Sequence, residues 1–260
     1  MTDSLGDRMK SYEKMYSGDD YLMPLIPALA RLDGRAFHSF TAGLEKPSER
    51  MSQLMGLTTR FLMEETGALI GYTESDEITL VWHQPNYHTQ MLFGGRVQKL
   101  IGALAATASV FFNKKLPDYL PEKANKSPIF DCRVWSLPNR EEVTNCIIWR
   151  QQDCSTNSIS MMAQSKFSRK ELLHKSCDVM QEMLFQQAGI NWSEQPGWFK
   201  NGRLFVRKQI TRPFTVQEIE NLPERHHARQ NPDGGYSRVI LEESSPVLTK
   251  IEDRVSYLFC

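Results

Sequence analysis

The sequence predicts an α+β fold in which helices pack on an antiparallel sheet. Two observations carry this prediction. The candidate elements follow the order β-α-β-β-α-β, which is the split βαβ or ferredoxin-like plan. The apolar residues change from a strand pattern to a spacing of three and four where the helices are expected. The 260 residues are 40% apolar, which is enough for a real core and argues against wholesale disorder.

The first strand is expected over residues 24–32, followed by a turn at Asp33-Gly34, since Asp-Gly is a common turn dipeptide. A helix is then expected from Ser48 to Gly67. Serine is a favoured N-cap and glycine a favoured C-terminal residue.

Two further strands are expected over residues 68–73 and 77–83, joined by an acidic turn at residues 74–76. The second helix is indicated by apolar residues on one face: Val97, Leu100, Ile101, Leu104, Ala108, Phe111 and Phe112. A fourth strand is expected over residues 129–137. These elements complete the six-element plan.

The second half of the chain gives weaker signals. It is expected to turn helical at Asn139, to form another helix over about residues 178–188, and to end the segment 197–210 in a strand. Residues 236–241 are a candidate strand of a closing hairpin, and the rest of the tail from Arg212 is hard to interpret.

Composition narrows the functional classes. Lysine plus arginine equals aspartate plus glutamate, 31 each, so a nucleic-acid partner requires a local basic patch. The five cysteines are odd in number and lack a C-x-x-C pair, which indicates neither a disulfide framework nor a zinc knuckle. Residues 1–20 are wrong for a signal peptide, and the apolar run 101–112 is too short to span a bilayer. We expect a soluble, cytoplasmic protein without membrane association.

Acidic residues converge on one edge of the predicted sheet. The first and third strands of this plan are antiparallel neighbours, so Asp33 lies beside Asp76 and Glu77. Two carboxylates 4 Å apart repel by about 4 kcal/mol at an effective dielectric near 20. Such a pair calls for protons or a cation, and oxygen ligands suit Mg²⁺. Each acidic turn alone is ordinary; their joint placement favours two-metal nucleotidyl transfer.

Several nearby groups could hold phosphate. The backbone of residues 34–38 could present N–H groups to a triphosphate. Arg96 and Lys99 lie one helical turn apart, which allows both to face the acidic edge and neutralise phosphate charge, and Lys46 has similar status. A solvated basic face is an equally good interpretation of these cations. His38 could carry a proton, contact phosphate, or be structural.

A polar set follows the fourth strand: Arg133, Arg150, Gln151, Gln152, Asp153 and Asn157. The helix after Trp149 is suited to hydrogen bonding, and scattered basic residues could contact an RNA backbone. Taken singly, each of these is a surface residue.

Together, these motifs resemble the tRNA-histidine guanylyltransferase family, from about residue 5 to residue 207. The matching residues are Arg31-Leu32-Asp33-Gly34-Arg35 with Phe37-His38, Lys46-Pro47, Tyr72 with Ser75-Asp76-Glu77, Phe130-Asp131 with Arg133, and Trp149-Arg150-Gln151 with Asp153. Members of that family add nucleotides to the 5′ end of RNA in the 3′-to-5′ direction. Their fold is similar to the palm of ordinary polymerases and nucleotide cyclases.

The resemblance implies a site for each substrate. Two Mg²⁺ ions would bind Asp33, the carbonyl of Gly34 and Asp76, with Glu77 in support. The incoming nucleoside triphosphate, GTP or ATP, would contact Gly34, Arg35, Ala36, Phe37, His38 and Ser75. A second triphosphate, which activates the RNA, would contact Lys46, Arg96 and Lys99. The tRNA side would carry Arg133, Arg150, Asp153 and Asn157.

The resemblance also implies a domain division and an assembly. Residues 1–137 would form the palm-like catalytic part. Residues 138–260 would form a helical and β extension that completes the same globular unit on the tRNA side. The family resemblance implies a homotetramer.

One departure favours a particular branch. Eukaryotic members carry His-Ile-Asn-Asn where this chain has Ser155-Thr156-Asn157-Ser158, which is more similar to the bacterial, archaeal and phage Thg1-like proteins. That branch implies template-dependent repair of 5′-truncated tRNA. The alternatives are non-templated guanylylation of histidine tRNA, a nucleotide cyclase on the same palm, or a non-catalytic RNA-binding module, which would need exposed aromatics on its central strands.

Overall fold

The computed structural model describes Met9, Tyr12, residues 20–87 and residues 90–260, so the expectation for residues 1–20 lies almost wholly outside the described residues. The strands are β1 Ala28–Gly34, β2 Ile70–Glu74, β3 Glu77–Trp82, β4 Phe130–Ser136, β5 Arg203–Arg212 and β6 Tyr236–Ser244. The helices are α1 Phe37–Phe40, α2 Glu49–Thr66, α3 Val97–Tyr119, α4 Arg140–Gln164, α5 Arg169–Leu172, α6 Cys177–Ala188, α7 Gly197–Asn201, α8 Val216–Glu220, α9 His227–Gln230 and α10 Arg254–Leu258.

The six strands form one antiparallel sheet in the order β4-β1-β3-β2-β5-β6. The first four positions are the predicted ferredoxin-like arrangement, which confirms the fold class. Strand β5 pairs directly with β2, with Ile70 opposite Val206, so the second half of the chain extends the same sheet. Strand β6 pairs with β5 across residues 213–235, a longer connection than a tight hairpin.

Local signals explain where the main elements begin and end. The Ser48 side chain accepts from Met51 N at the start of α2, and Gly67 ends it with φ of 69°. Asn139 caps α4 by accepting from Glu142 N. Strand β1 begins at Ala28 rather than residue 24, because prolines 24 and 27 donate no hydrogen bond and Leu25 has φ of 67°.

Each face of the sheet is covered by helices. Helices α2 and α3 cover one face, where Leu32, Leu54 and Phe112 are fully buried. The first half of α4 covers the other face through Val143 and Ile147. Helices α5–α7 pack on the second half of α4 through a smaller apolar cluster.

Two exclusions made from the sequence can be compared with the structure. All five cysteines are free thiols, as their spacing predicted. Among the described residues, none of the helices has the length and apolarity required to cross a bilayer.

Candidate active site

The sheet brings the predicted acidic residues together at one edge. In the antiparallel pairing of β1 with β3, Asp33 stands directly opposite Glu77. Gly34 N donates to the Asp76 carbonyl at 3.0 Å. Asp76 belongs to the tight turn between β2 and β3, where Ser75 has φ of 51°. The convergence expected from the topology is therefore present in the structure.

Close packing fixes the backbone after β1. A Cβ atom at Gly34 would lie 2.4 Å from the Phe37 ring, so only glycine fits there. The Phe37 side chain is 2% exposed, and its ring centroid lies 5.1 Å from that of Phe130 and 5.6 Å from that of Phe112. This aromatic cluster anchors the turn, in which Ala36 adopts φ of 58°. At Phe37 only the backbone is free to face a ligand.

The charge of Asp33 affects the pKa of Asp76. Burial raises the pKa of Asp76, and the Asp33 carboxylate raises it further. Among the described residues, no group of three or more His, Cys, Asp or Glu side chains is placed to hold a metal ion. The expected donor set is smaller: two carboxylates and the Gly34 carbonyl. These hard oxygen donors, with a repulsion between them that a cation would relieve, fit Mg²⁺.

A buried ion network supports this edge from the α4 side. Arg150 Nε donates to Glu77 Oε1 at 2.6 Å, and its Nη2 donates to Glu74 Oε1 at 3.1 Å and to Asp153 Oδ2 at 2.9 Å. Arg31 Nε lies 3.7 Å from Glu77 Oε2. Burial, followed by the charge of Glu77, raises the pKa of Glu74 to about 8. The Arg150 guanidinium thus contacts the carboxyl groups of Glu74, Glu77 and Asp153, and Arg31 adds a second cation beside Glu77.

This network corrects one expectation. Arg150 was expected on the tRNA side, but it is 7% exposed and its guanidinium is occupied by carboxylates. We therefore assign Arg150 to the support of the acidic edge. Asp153 belongs to the same network, where its carboxylate also accepts from Asn157 Nδ2 at 3.4 Å.

A cavity of about 410 Å³ opens beside the acidic turn. Sequence-predicted residues from three segments line it: His38, Lys46, Ser75, Asp76 and Asn157. Asn157 was expected on the tRNA side, and the structure instead brings it to the residues expected to bind nucleotide.

The same cavity includes residues that sequence reasoning missed. Its apolar wall is formed by Met51 and Met55 of α2 and by Trp198 and Phe199 of α7. The α7 residues follow Pro196 in a segment with little periodicity. Their only sequence signal was the adjacent pair of aromatics.

Arg96 and Lys99 are not at this site, so the expectation that they face the acidic edge is wrong. Helix α3 reaches the acidic edge near its other end, where Phe112 packs on Phe37. At 1.5 Å per residue, roughly 20 Å of helix separates Lys99 from Phe112. Arg96 Nε instead donates to Tyr21 Oη at 3.0 Å.

The remaining predicted residues are exposed. Arg35 lies on the turn after β1, and its backbone N–H donates to Ile129 O at 2.9 Å. Arg133 lies on β4 directly opposite Arg31. The two arginines line a second cavity.

Comparisons with known proteins agree with this architecture. Residues 6–138 match the family model for tRNAHis guanylyltransferase. A tRNA(His) guanylyltransferase of Neurospora crassa is 29% identical over 95% of this chain and 89% of its own.

Solved structures of two bacterial complexes are also similar. A bacterial tRNA(His) guanylyltransferase (Thg1)-like protein in complex with ATP is 31% identical, with a TM-score of 0.79 over 99% of each chain. One in complex with GTP is 29% identical, with a TM-score of 0.73 over 97% of this chain and 99% of its own.

Proposed function

The chain belongs to the tRNAHis guanylyltransferase family, whose members are nucleotidyltransferases, and we propose that it repairs 5′-truncated tRNA by template-dependent 3′-to-5′ addition. In this reaction the 3′-hydroxyl of an incoming nucleoside triphosphate attacks the activated 5′ end of the RNA. A new phosphodiester bond forms, and pyrophosphate leaves when a 5′-triphosphate is the activated group. The cytoplasm as compartment and a homotetramer as assembly are parts of the same proposal.

The acidic edge supports the catalytic part of the proposal. Asp33, the Gly34 carbonyl and Asp76 would hold two Mg²⁺ ions, which supply charge stabilisation at the attacking and leaving oxygens. The Asp33 carboxylate contributes to the raised pKa of Asp76, so a cation between the two side chains would relieve their repulsion. Glu77 would act indirectly: it stands opposite Asp33 and is held by Arg150.

The 410 Å³ cavity supports the nucleotide part. Its mixed lining of methionines and aromatics suits a nucleobase. Lys46 and His38 line the same cavity and would face the phosphates. The N–H groups of Gly34 and Arg35 donate to Asp76 O and Ile129 O, so phosphate oxygens would meet the N–H groups of residues 36–38, where the turn has no side-chain cap. GTP and ATP, present in the similar bacterial complexes, are the proposed substrates.

Two serines of α4 are the reason for proposing templated repair. Ser155 and Ser158 stand where eukaryotic members carry histidine and asparagine. Ser155 Oγ donates to Lys200 O at 2.9 Å, and Ser158 Oγ accepts from Trp192 Nε1 at 3.1 Å. Both hydroxyls therefore join α4 to neighbouring segments. The departure of these two residues from the eukaryotic pattern favours repair over non-templated guanylylation.

The two alternatives from other functional classes are less well supported. A nucleotide cyclase would use the same acidic edge without needing an RNA surface. A non-catalytic RNA-binding module would need aromatic pairs exposed on the central strands, whereas the described β1 and β3 expose none.

Incorporation of labelled nucleotide into a tRNA that lacks its first 5′ nucleotide tests the proposal. Asp33→Ala and Asp76→Ala should each abolish incorporation and leave the fold intact by circular dichroism. Asp118→Ala is the matched control, because Asp118 is exposed and lies 3.7 Å from Lys115; it should keep full activity. Near-normal activity in either active-site variant would contradict the metal assignment.

A further inference from the structure

A second cavity, of about 550 Å³, lies on the α4 face of the sheet. Its walls come from β1, β4 and the first half of α4. Its lining includes Arg31, Arg133, Trp135 and Trp149, which we call the Trp–Arg pocket, and also the Glu142 carboxyl group. Nothing in the nucleotide site described above uses the indole rings of this pocket.

Arginine guanidinium groups lie close to both tryptophan rings of the pocket. Arg31 Cζ lies 5.9 Å from the centroid of the Trp135 ring and 5.6 Å from that of Trp149. Arg150 Cζ lies 4.6 Å from the Trp149 ring. Trp149 is nevertheless 52% exposed. Trp149 is thus a large indole beside two cations, and its exposed half offers aromatic surface on which a base could stack.

Arg133 adds a positive charge without an ion-pair partner among the described residues. It is exposed on β4, opposite Arg31, and its guanidinium has no hydrogen bond or ion pair with any other residue that the structure describes. An aromatic face beside an unpaired guanidinium is the combination that binds an unpaired nucleotide, through the base and through a phosphate. One free arginine suits a single backbone phosphate better than a triphosphate.

The position of the pocket identifies which RNA would reach it. Arg31 is two residues from Asp33 on the same strand and face, a separation of about 7 Å. A 5′ end that reacts at Asp33 would thus have its neighbouring single strand beside the pocket. In a tRNA under repair, that strand is the unpaired 3′ end next to the truncated 5′ end.

We propose that the Trp–Arg pocket binds one unpaired nucleotide of the RNA's 3′ single strand, stacked on Trp149 with a phosphate at Arg133. This inference rests on the proposed function, since it assumes an RNA substrate. It assigns to the pocket a role in holding the acceptor strand while the 5′ end reacts.

Equilibrium binding of two RNAs tests the inference: a 5′-truncated tRNA with its 3′ single strand, and the same RNA with that strand removed. The wild-type protein should bind the complete RNA more tightly. Trp149→Ala should weaken binding of the complete RNA by roughly 5- to 150-fold, the cost of one lost base stack, and should bind both RNAs alike. Trp149→Phe should restore most of the difference.

Two further variants sharpen the result. Arg133→Gln should weaken binding and lower the slope of log K against log salt by about one, as expected for one lost phosphate contact. Phe185→Ala is the matched control, because Phe185 is 56% exposed on α6 and lines neither cavity. It should leave both affinities unchanged. Thermal melting of each variant reports on folding.

The possible outcomes separate this inference from the proposed function. A Trp149→Ala protein that still prefers the complete RNA, or loses affinity for both RNAs equally, overturns the pocket assignment. So does a loss of affinity that accompanies a smaller mass in sedimentation, since the pocket would then join copies of the chain. Nucleotide addition by the wild-type protein at saturating RNA is measured in parallel. If addition persists, only the pocket assignment fails; if wild-type binding and addition are both absent, both proposals fail.

Discussion

Replacing Arg150 by alanine should destabilise the protein more than any surface substitution. The change removes the guanidinium that contacts Glu74, Glu77 and Asp153. Glu77 is buried and would lose its main partner, whereas Glu74, whose pKa burial already raises to about 8, can take up a proton. Breaking a buried pair in this way typically costs about 3–5 kcal/mol. Urea denaturation should therefore show a free energy of unfolding lower by that amount.

An exposed ion pair provides the matched control. Arg50 Nη2 lies 2.6 Å from Glu122 Oε1, but both side chains are about half exposed. Arg50→Ala should cost less than about 1 kcal/mol, the usual range for surface pairs. A second control adds Glu77→Gln to Arg150→Ala. Because the added change removes one uncompensated charge, the double variant should lose less stability than the two single losses combined.

The result that would refute this reasoning is equally specific. A loss below about 1 kcal/mol for Arg150→Ala, similar to that for Arg50→Ala, would mean that the carboxylates are solvated without the guanidinium. Simple additivity in the double variant would mean that Arg150 and Glu77 do not interact, despite the 2.6 Å hydrogen bond.

Three other perturbations have definite expected outcomes. Gly34→Ala should lower the free energy of unfolding by about 1–3 kcal/mol and remove most of the activity, because the added Cβ would lie 2.4 Å from the Phe37 ring. A variant that melts at the wild-type temperature and incorporates nucleotide at the wild-type rate would contradict this. Gln151→Leu should lower the free energy of unfolding by about 2–4 kcal/mol in urea denaturation, because the Gln151 side chain donates to Asn201 O and Pro246 O and accepts from Leu248 N. The same substitution at the exposed Gln152 is the control. RNA affinity should fall steeply as salt rises, since local patches rather than net charge would bind RNA, and a salt-independent Kd would count against that.

The acidic edge was predictable because topology alone fixes it. Once the β-α-β-β-α-β order is recognised, antiparallel pairing places the end of β1 beside the start of β3. The result is the observed register of Asp33 with Glu77. The helix starts at Ser48 and Asn139 were predictable as well, because an N-cap depends only on neighbouring residues.

The roles of Arg150 and of the α3 cations were missed for different reasons. Arg150 follows Val143 and Ile147 at helical spacing and so lies on the buried stripe of α4, a signal that its charge obscured. The direction of α3 could also have been inferred. A crossover helix runs opposite to the strands that it joins, so its first turn begins at the far edge of the sheet.

The residues contributed by α7 and the Trp–Arg pocket could not be predicted from the sequence. Both depend on how α4 docks against distant segments: Trp198 lines the 410 Å³ cavity, and Trp149 lies beside Arg31 and Trp135 in the second cavity. Such contacts are set by packing between elements far apart in the chain, and no local pattern reports them.

The central claim, templated addition at the 5′ end, is tested most directly with a tRNA that lacks its first nucleotide. All four nucleoside triphosphates are supplied with Mg²⁺, and the base opposite the missing position is changed in turn. The account predicts that the identity of the added nucleotide follows the opposing base by Watson–Crick pairing. A full-length histidine tRNA, assayed alongside, should receive little. Addition of G to that tRNA whatever base lies opposite would contradict the account.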